Sequence, residues 1–80
     1  MVIRNFTYRP ATLTVKAGTR VTWRNEDGSP HTATARGGGF STGALTRGQS
    51  RTLTLRHAGR FSYVCVFHPF MHGSLVVVAR

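Results

Sequence analysis

The sequence predicts an all-β fold in which about seven short strands pack as two sheets, and three observations carry that expectation. Apolar and polar residues alternate with a period of two, as they do on a strand with one buried and one wet face. Gly, Pro, Asn and Asp interrupt that alternation about every ten residues, the spacing of strand connections in sandwiches and barrels. No stretch carries the apolar spacing of an amphipathic helix.

In chain order, strands are expected at residues 2–8, 12–16, 20–24, 31–35, 51–56, 60–65 and 74–79. Leu13 and Val15 share one parity in the second, and Val21 and Trp23 do in the third, so Thr and Arg take the wet face. Leu53 and Leu55 repeat the pattern in the fifth. Phe61, Tyr63 and Cys65 share a parity in the sixth, which puts Cys65 on the side facing the core. Turns are expected at Ala17-Gly18, 25–30, 36–39, Arg47-Gly48 and Ala58-Gly59, where glycine can take positive φ without a Cβ clash. These are loops within one domain, residues 1–80, with no internal repeat.

At 80 residues the chain can bury one small core and hold one site. It is 40% hydrophobic and 16% charged, a balance that builds a core and excludes a disordered chain. Eleven Lys and Arg, ten of them Arg, stand against only Glu26 and Asp27, for a formal net charge of +9. Such a field attracts nucleic acid, anionic lipid or an acidic protein. The arginines are scattered one or two per strand, apart from exposed aromatics, which favours a solvated basic face over a nucleic-acid site. The longest apolar runs, 63–67 and 75–79, are five residues each, far short of the roughly 20 that span a bilayer as a helix. Met1-Val2-Ile3-Arg4 lacks the features of a secretory signal, so a cytosolic protein or a mature or excised domain is expected.

Cys65 is the only cysteine, which excludes a disulfide within the chain. Taken alone, it is more often a buried core residue than a ligand, and Met71 alone is more often a gap filler. The stretch Cys65-Val66-Phe67-His68-Pro69-Phe70-Met71 reverses those readings, because it sets a thiol, an imidazole and a thioether at successive three-residue spacings. Thiolate and thioether sulfur suit Cu(I) and imidazole suits both copper oxidation states. Two His and one Cys with a weak axial Met form an electron-transfer copper site. His31, after Pro30 at the start of a short β segment, is the best candidate for the second imidazole. His57 sits in a turn, and His72 directly follows Met71. Tetrahedral zinc is the nearest chemical rival, but zinc rarely takes Met. Nucleophilic catalysis by Cys65 with His68 lacks an orienting acid, since both acidic residues sit together at Glu26-Asp27.

These residues stand within a wider resemblance. The chain resembles a small cupredoxin, a type 1 blue copper protein of the amicyanin, plastocyanin and halocyanin kind. The resemblance rests on Phe6-Thr7-Tyr8-Arg9-Pro10-Ala11-Thr12-Leu13-Thr14-Val15-Lys16-Ala17-Gly18, Val21-Thr22-Trp23-Arg24-Asn25 and Pro30-His31-Thr32. It continues through Phe40-Ser41-Thr42-Gly43, Gly59-Arg60-Phe61-Ser62-Tyr63-Val64-Cys65 and His68-Pro69-Phe70-Met71-His72-Gly73. It implies a Greek-key β-sandwich in which His31, Cys65 and His68 are the strong copper ligands and Met71 the long axial one. His68 is then the electron port, with Phe67, Pro69 and Phe70 as an apolar docking rim.

The expected departures are a chain shorter than most members, a missing first strand or leader of the family, and Thr32 where several members have Asn. The resemblance further implies a monomeric electron shuttle that is not an enzyme and works outside the cytoplasm, in the periplasm or on the outer face of a membrane. The positive charge points to a redox partner with an acidic docking surface. A copper carrier or storage module of the same fold is the alternative function, and a basic binding module without metal is a third.

Overall fold

The alternating segments form two four-stranded sheets packed face to face. The computed structural model describes residues 1–79. Its strands are β1 (Val2–Arg4), β2 (Thr7–Arg9), β3 (Thr12–Lys16), β4 (Thr19–Asn25), β5 (Thr34–Ala35), β6 (Ser50–Leu55), β7 (Gly59–Val64) and β8 (His72–Val78). One sheet has the order β2-β1-β4-β6 and the other β3-β8-β7-β5. Both are mixed: β1 runs parallel to β4 and β3 parallel to β8, while the other pairs are antiparallel. Among the described residues no helix is long and apolar enough to cross a membrane.

The expected parity decides what is buried. Val21, Trp23, Leu55, Tyr63 and Cys65 all lie in the core between the sheets, joined by Leu75 and Val77 from β8. Thr22 and Thr52 face each other across β4 and β6 on the wet side, with their hydroxyls 2.7 Å apart. The Tyr63 ring is the hub of an aromatic cluster, meeting Tyr8, Trp23 and Phe40 with centroids 4.7, 5.9 and 5.8 Å away. Such edge-on pairs add to the stabilisation that burial alone provides.

Two expected elements differ from the structure. Residues 2–8 are not one strand but a tight hairpin, because Asn5 and Phe6 take φ of 53° and 56° and Arg4 pairs with Thr7. Positive φ at both central positions is the type I′ geometry whose twist matches that of the flanking strands. Asn tolerates this region, but a bulky Phe costs roughly 1–2 kcal/mol there, so something must hold it. Asp27 does, its carboxylate accepting the N–H groups of both turn residues. The segment 31–35 is also shorter as a strand than expected. Only Thr34 and Ala35 pair with β7, while His31 forms an isolated bridge with Leu45, its N–H donating to Leu45 O at 3.0 Å and its O accepting from Leu45 N–H at 2.8 Å.

Strand register sets the two ends of the sandwich. β4 ends at Asn25 beside the start of β6, and β7 ends at Val64 opposite His72. The β1–β2 turn, the loop after β4 and the β7–β8 loop therefore meet at one end. The Ala17-Gly18 turn closes the other, with Gly18 N–H donating to Leu55 O at 2.7 Å.

Candidate metal centre

Two chain segments, the loop around His31 and the loop between β7 and β8, bring His31, Cys65 and His68 together. Cys65 follows the last residue of β7 with its side chain still on the core parity, and it is fully buried. The loop after it turns tightly: His68 N–H donates to Cys65 O at 3.2 Å and Met71 N–H to His68 O at 2.8 Å. Cys65 N–H then closes the loop on Met71 O at 3.2 Å. These three bonds fold the seven residues into a compact bracket, with His68 half-buried at its tip and Met71 buried beneath.

His31 arrives from the other sheet's side, on a loop that Asn25 organises. The buried Asn25 side chain donates from Nδ2 to Ser29 O at 2.9 Å and to Leu45 O at 2.7 Å. Its Oδ1 accepts from Asp27 N–H at 2.8 Å. One buried amide thus bonds three backbone groups, serving Leu45 O as a second donor beside the His31 N–H, and fixes the chain from β4 to the Leu45 bridge.

The result is a cluster of three donor atoms. His31 Nδ1 lies 3.6 Å and His68 Nδ1 3.7 Å from Cys65 Sγ, and all three lie within 4.8 Å of one another. Metal bonds of about 2.0–2.3 Å meeting at about 120° require donors about 3.7 Å apart, so the spacing fits one ion held by all three. Cys65 Sγ also accepts the Thr32 N–H at 3.4 Å. Thr32, expected as a departure, joins the two ligand loops a second way: its Oγ1 accepts Val66 N–H at 3.1 Å, and its O accepts the Tyr8 hydroxyl. His57 and His72 are exposed and stand outside the cluster.

Asp27 and Phe6 were not legible as parts of this site. Asp27 Oδ2 lies 2.9 Å from His31 Nε2. An ionised carboxylate only accepts, so the partner assigns the proton to Nε2 and leaves the Nδ1 lone pair facing Cys65. The same carboxylate accepts Asn5 N–H at 2.8 Å and Phe6 N–H at 2.9 Å. Burial pushes its pKa up, but the amides of Phe6 and Asn5 and the imidazole of His31 outweigh that and hold it below the ordinary value of 3.8. The Phe6 ring then stands edge-on to both imidazoles, with centroids 5.0 Å from His31 and 4.9 Å from His68.

Outside the cluster lies an apolar rim. Val66, Phe67 and Phe70 are 53%, 50% and 68% exposed, and Pro69 is exposed between them. Phe6 stacks on Phe70 at 6.2 Å and extends the patch. Exposed apolar residues contiguous around a site mark a contact surface, whereas single ones do not.

The family model described as a cupredoxin-like domain matches residues 1–77. Amicyanin of Paracoccus denitrificans is 36% identical over 80 residues, which covers 94% of this chain and 61% of that protein. The chloroplastic plastocyanin of Tetradesmus obliquus is 36% identical over 72 residues, 76% of this chain and 50% of that protein. Among solved structures, an amicyanin variant in the oxidised state superposes with a TM-score of 0.87 at 32% identity, covering 95% of this chain and 77% of the other. A Cu(I) form of another amicyanin variant gives 0.85 at 34% identity, with the same coverage. The chain spans 61% of the length of the Paracoccus amicyanins it matches.

Proposed function

The chain belongs to the cupredoxin-like domain family, and from that membership we propose that it is a type 1 copper protein that shuttles single electrons between redox partners and is not itself an enzyme. His31, Cys65 and His68 are the strong ligands in this reading, and Met71 is the weak fourth. The observation that carries it is the cluster of two Nδ1 atoms spaced 3.6 and 3.7 Å from one buried sulfur. Copper held by such a donor set supplies a one-electron Cu(I)/Cu(II) couple.

The chain's own residues keep the cost of that exchange low. His31 and Cys65 are fully buried, and both come from backbone pinned by hydrogen bonds across sequence separations of 33 or more residues. A cage held this way changes little between two charge states. Only His68 is open to the surface among the three, and the apolar rim surrounds it, so a partner docks there and exchanges its electron through that ring. Both acidic side chains are engaged, Glu26 with Arg4 and Arg24 and Asp27 with His31. The remaining positive field suits a partner with an acidic surface. A monomer working outside the cytoplasm completes the reading, supported by the likeness to amicyanin.

The test is visible absorption on adding Cu(II) to the purified metal-free protein. An intense thiolate-to-copper band is expected, and its absence overturns the proposal. Electron self-exchange compared with copper loss to a chelator separates shuttle from carrier: fast exchange with very slow loss is expected.

A further inference from the structure

Two observations outside the ligand set converge on one carboxylate. The first is the hairpin turn, where Asn5 and Phe6 hold consecutive left-handed conformations that a phenylalanine rarely adopts. Such an outlier persists only where its surroundings over-determine it, and it clusters at functional sites. Here both turn amides end on Asp27, Asn5 N–H on Oδ1 and Phe6 N–H on Oδ2. The second is that the same Oδ2 receives His31 Nε2 at 2.9 Å. The Asp27 side chain is only 12% exposed, so water competes weakly for these bonds.

The turn also aims the Phe6 ring. It lies at 82° to the His31 ring and 90° to the His68 ring, and it stacks on Phe70. Among the described residues, the only polar contact of the His68 ring is Nδ1 with Cys65 Sγ. Its orientation on the open side therefore depends on the aromatic rings that flank it. A turn that relaxed to ordinary φ would swing Phe6 away from both imidazoles.

We propose that Asp27 is a positioning residue that couples the N-terminal hairpin to the metal site. With one carboxylate it fixes His31 as the Nε2–H tautomer and folds Phe6 against His31 and His68 as a wall. The inference rests on the reading of those histidines as ligands. It goes beyond that reading in assigning the prepared state of the cage to the two-residue turn and the aspartate, before any metal binds. Removal of Asp27 frees His31 and His68 together, whereas removal of the Phe6 ring frees His68 alone.

The experiment is nitrogen-15 NMR of the imidazoles in the metal-free protein, comparing wild type, Asp27→Ala, Asp27→Asn and Phe6→Leu. In wild type, His31 is expected as a single Nε2–H tautomer whose proton exchanges slowly with solvent. In Asp27→Ala that exchange speeds up by about tenfold or more, the protection one hydrogen bond to a charged group provides, and the His68 signals broaden. Phe6→Leu is expected to broaden His68 and leave the His31 proton protected.

Should Asp27→Ala fail to fold, Asp27→Asn keeps the size and one acceptor oxygen, and a smaller loss of the same kind is expected. Unchanged His31 protection in the aspartate variants, or equal effects of Phe6→Leu on both histidines, overturns the proposal. The absorption of the copper-loaded proteins is read separately. A wild type without a thiolate-to-copper band refutes the ligand reading and leaves the tautomer result standing on its own.

Discussion

Gly73 is the position where one added carbon has the largest worked consequence. It pairs with Tyr63 across β7 and β8, two residues after Met71. A Cβ built there meets Tyr63 Cζ at 2.5 Å, Oη at 2.6 Å and Cε2 at 2.9 Å. Ordinary carbon contacts lie at about 3.5–4.0 Å, so the ring must retreat by about 1 Å. It has nowhere to go, because Tyr63 is fully buried with Tyr8, Trp23 and Phe40 packed around it. Overpacking of this kind costs roughly 1–3 kcal/mol, and a rigid aromatic ring puts Gly73→Ala at about 2–3.

For a domain of this size each kcal/mol moves Tm by about 4–8 °C, so a fall of at least about 8 °C is expected. Thermal unfolding of the metal-free protein, followed by circular dichroism, measures it. Gly28→Ala is the control, since nothing lies within 4 Å of a Cβ there, and it is expected to unfold with wild type. If Gly73→Ala kept its Tm to within about 2 °C, the packing described around Tyr63 would be wrong.

Three further outcomes are expected. Cys65→Ala removes the thiolate-to-copper band, whereas Met71→Leu retains much of it and shifts the reduction potential, because the axial bond is weak; absorption and voltammetry distinguish them, and equal behaviour refutes the division of roles. Association with an acidic redox partner weakens as salt rises, since the Debye length falls to about 8 Å at physiological strength, and salt-independent binding contradicts electrostatic docking. Burial, reinforced by the nearby Cys65 and Tyr63, raises the Tyr8 pKa above its ordinary 10.0. Its contribution to stability is therefore complete below pH 10.0 and is lost as pH rises further, because the unfolded phenol ionises first. Urea titrations are expected to show a slope of up to about 1.4 kcal/mol per pH unit, shallower in Tyr8→Phe.

The two-sheet architecture was legible because burial on a strand has a period of two, and that period survives in any single stretch of sequence. Val21 with Trp23 and Phe61 with Tyr63 and Cys65 named the buried faces correctly. The same rule misread residues 2–8, although Ile3 and Tyr8 are both buried at opposite parity. That switch signals a turn between them, but without the usual Gly after Asn the signal is weak. The turn is stabilised from 21 and 22 residues away, by Asp27.

The sequence by itself determined the alternating strands and the Cys65, His68 and Met71 spacing, because both are local: three-residue steps in a tight loop need only the loop's own hydrogen bonds. The choice of His31 as the second imidazole was already legible from its place after Pro30 and from the family resemblance, whereas tertiary structure alone decided which of its nitrogens faces the sulfur and what holds the loops together. His31, Asp27, Asn25, Thr32 and Phe6 acquire those roles through contacts between segments far apart in the chain, whose geometry exists only once the two sheets have packed.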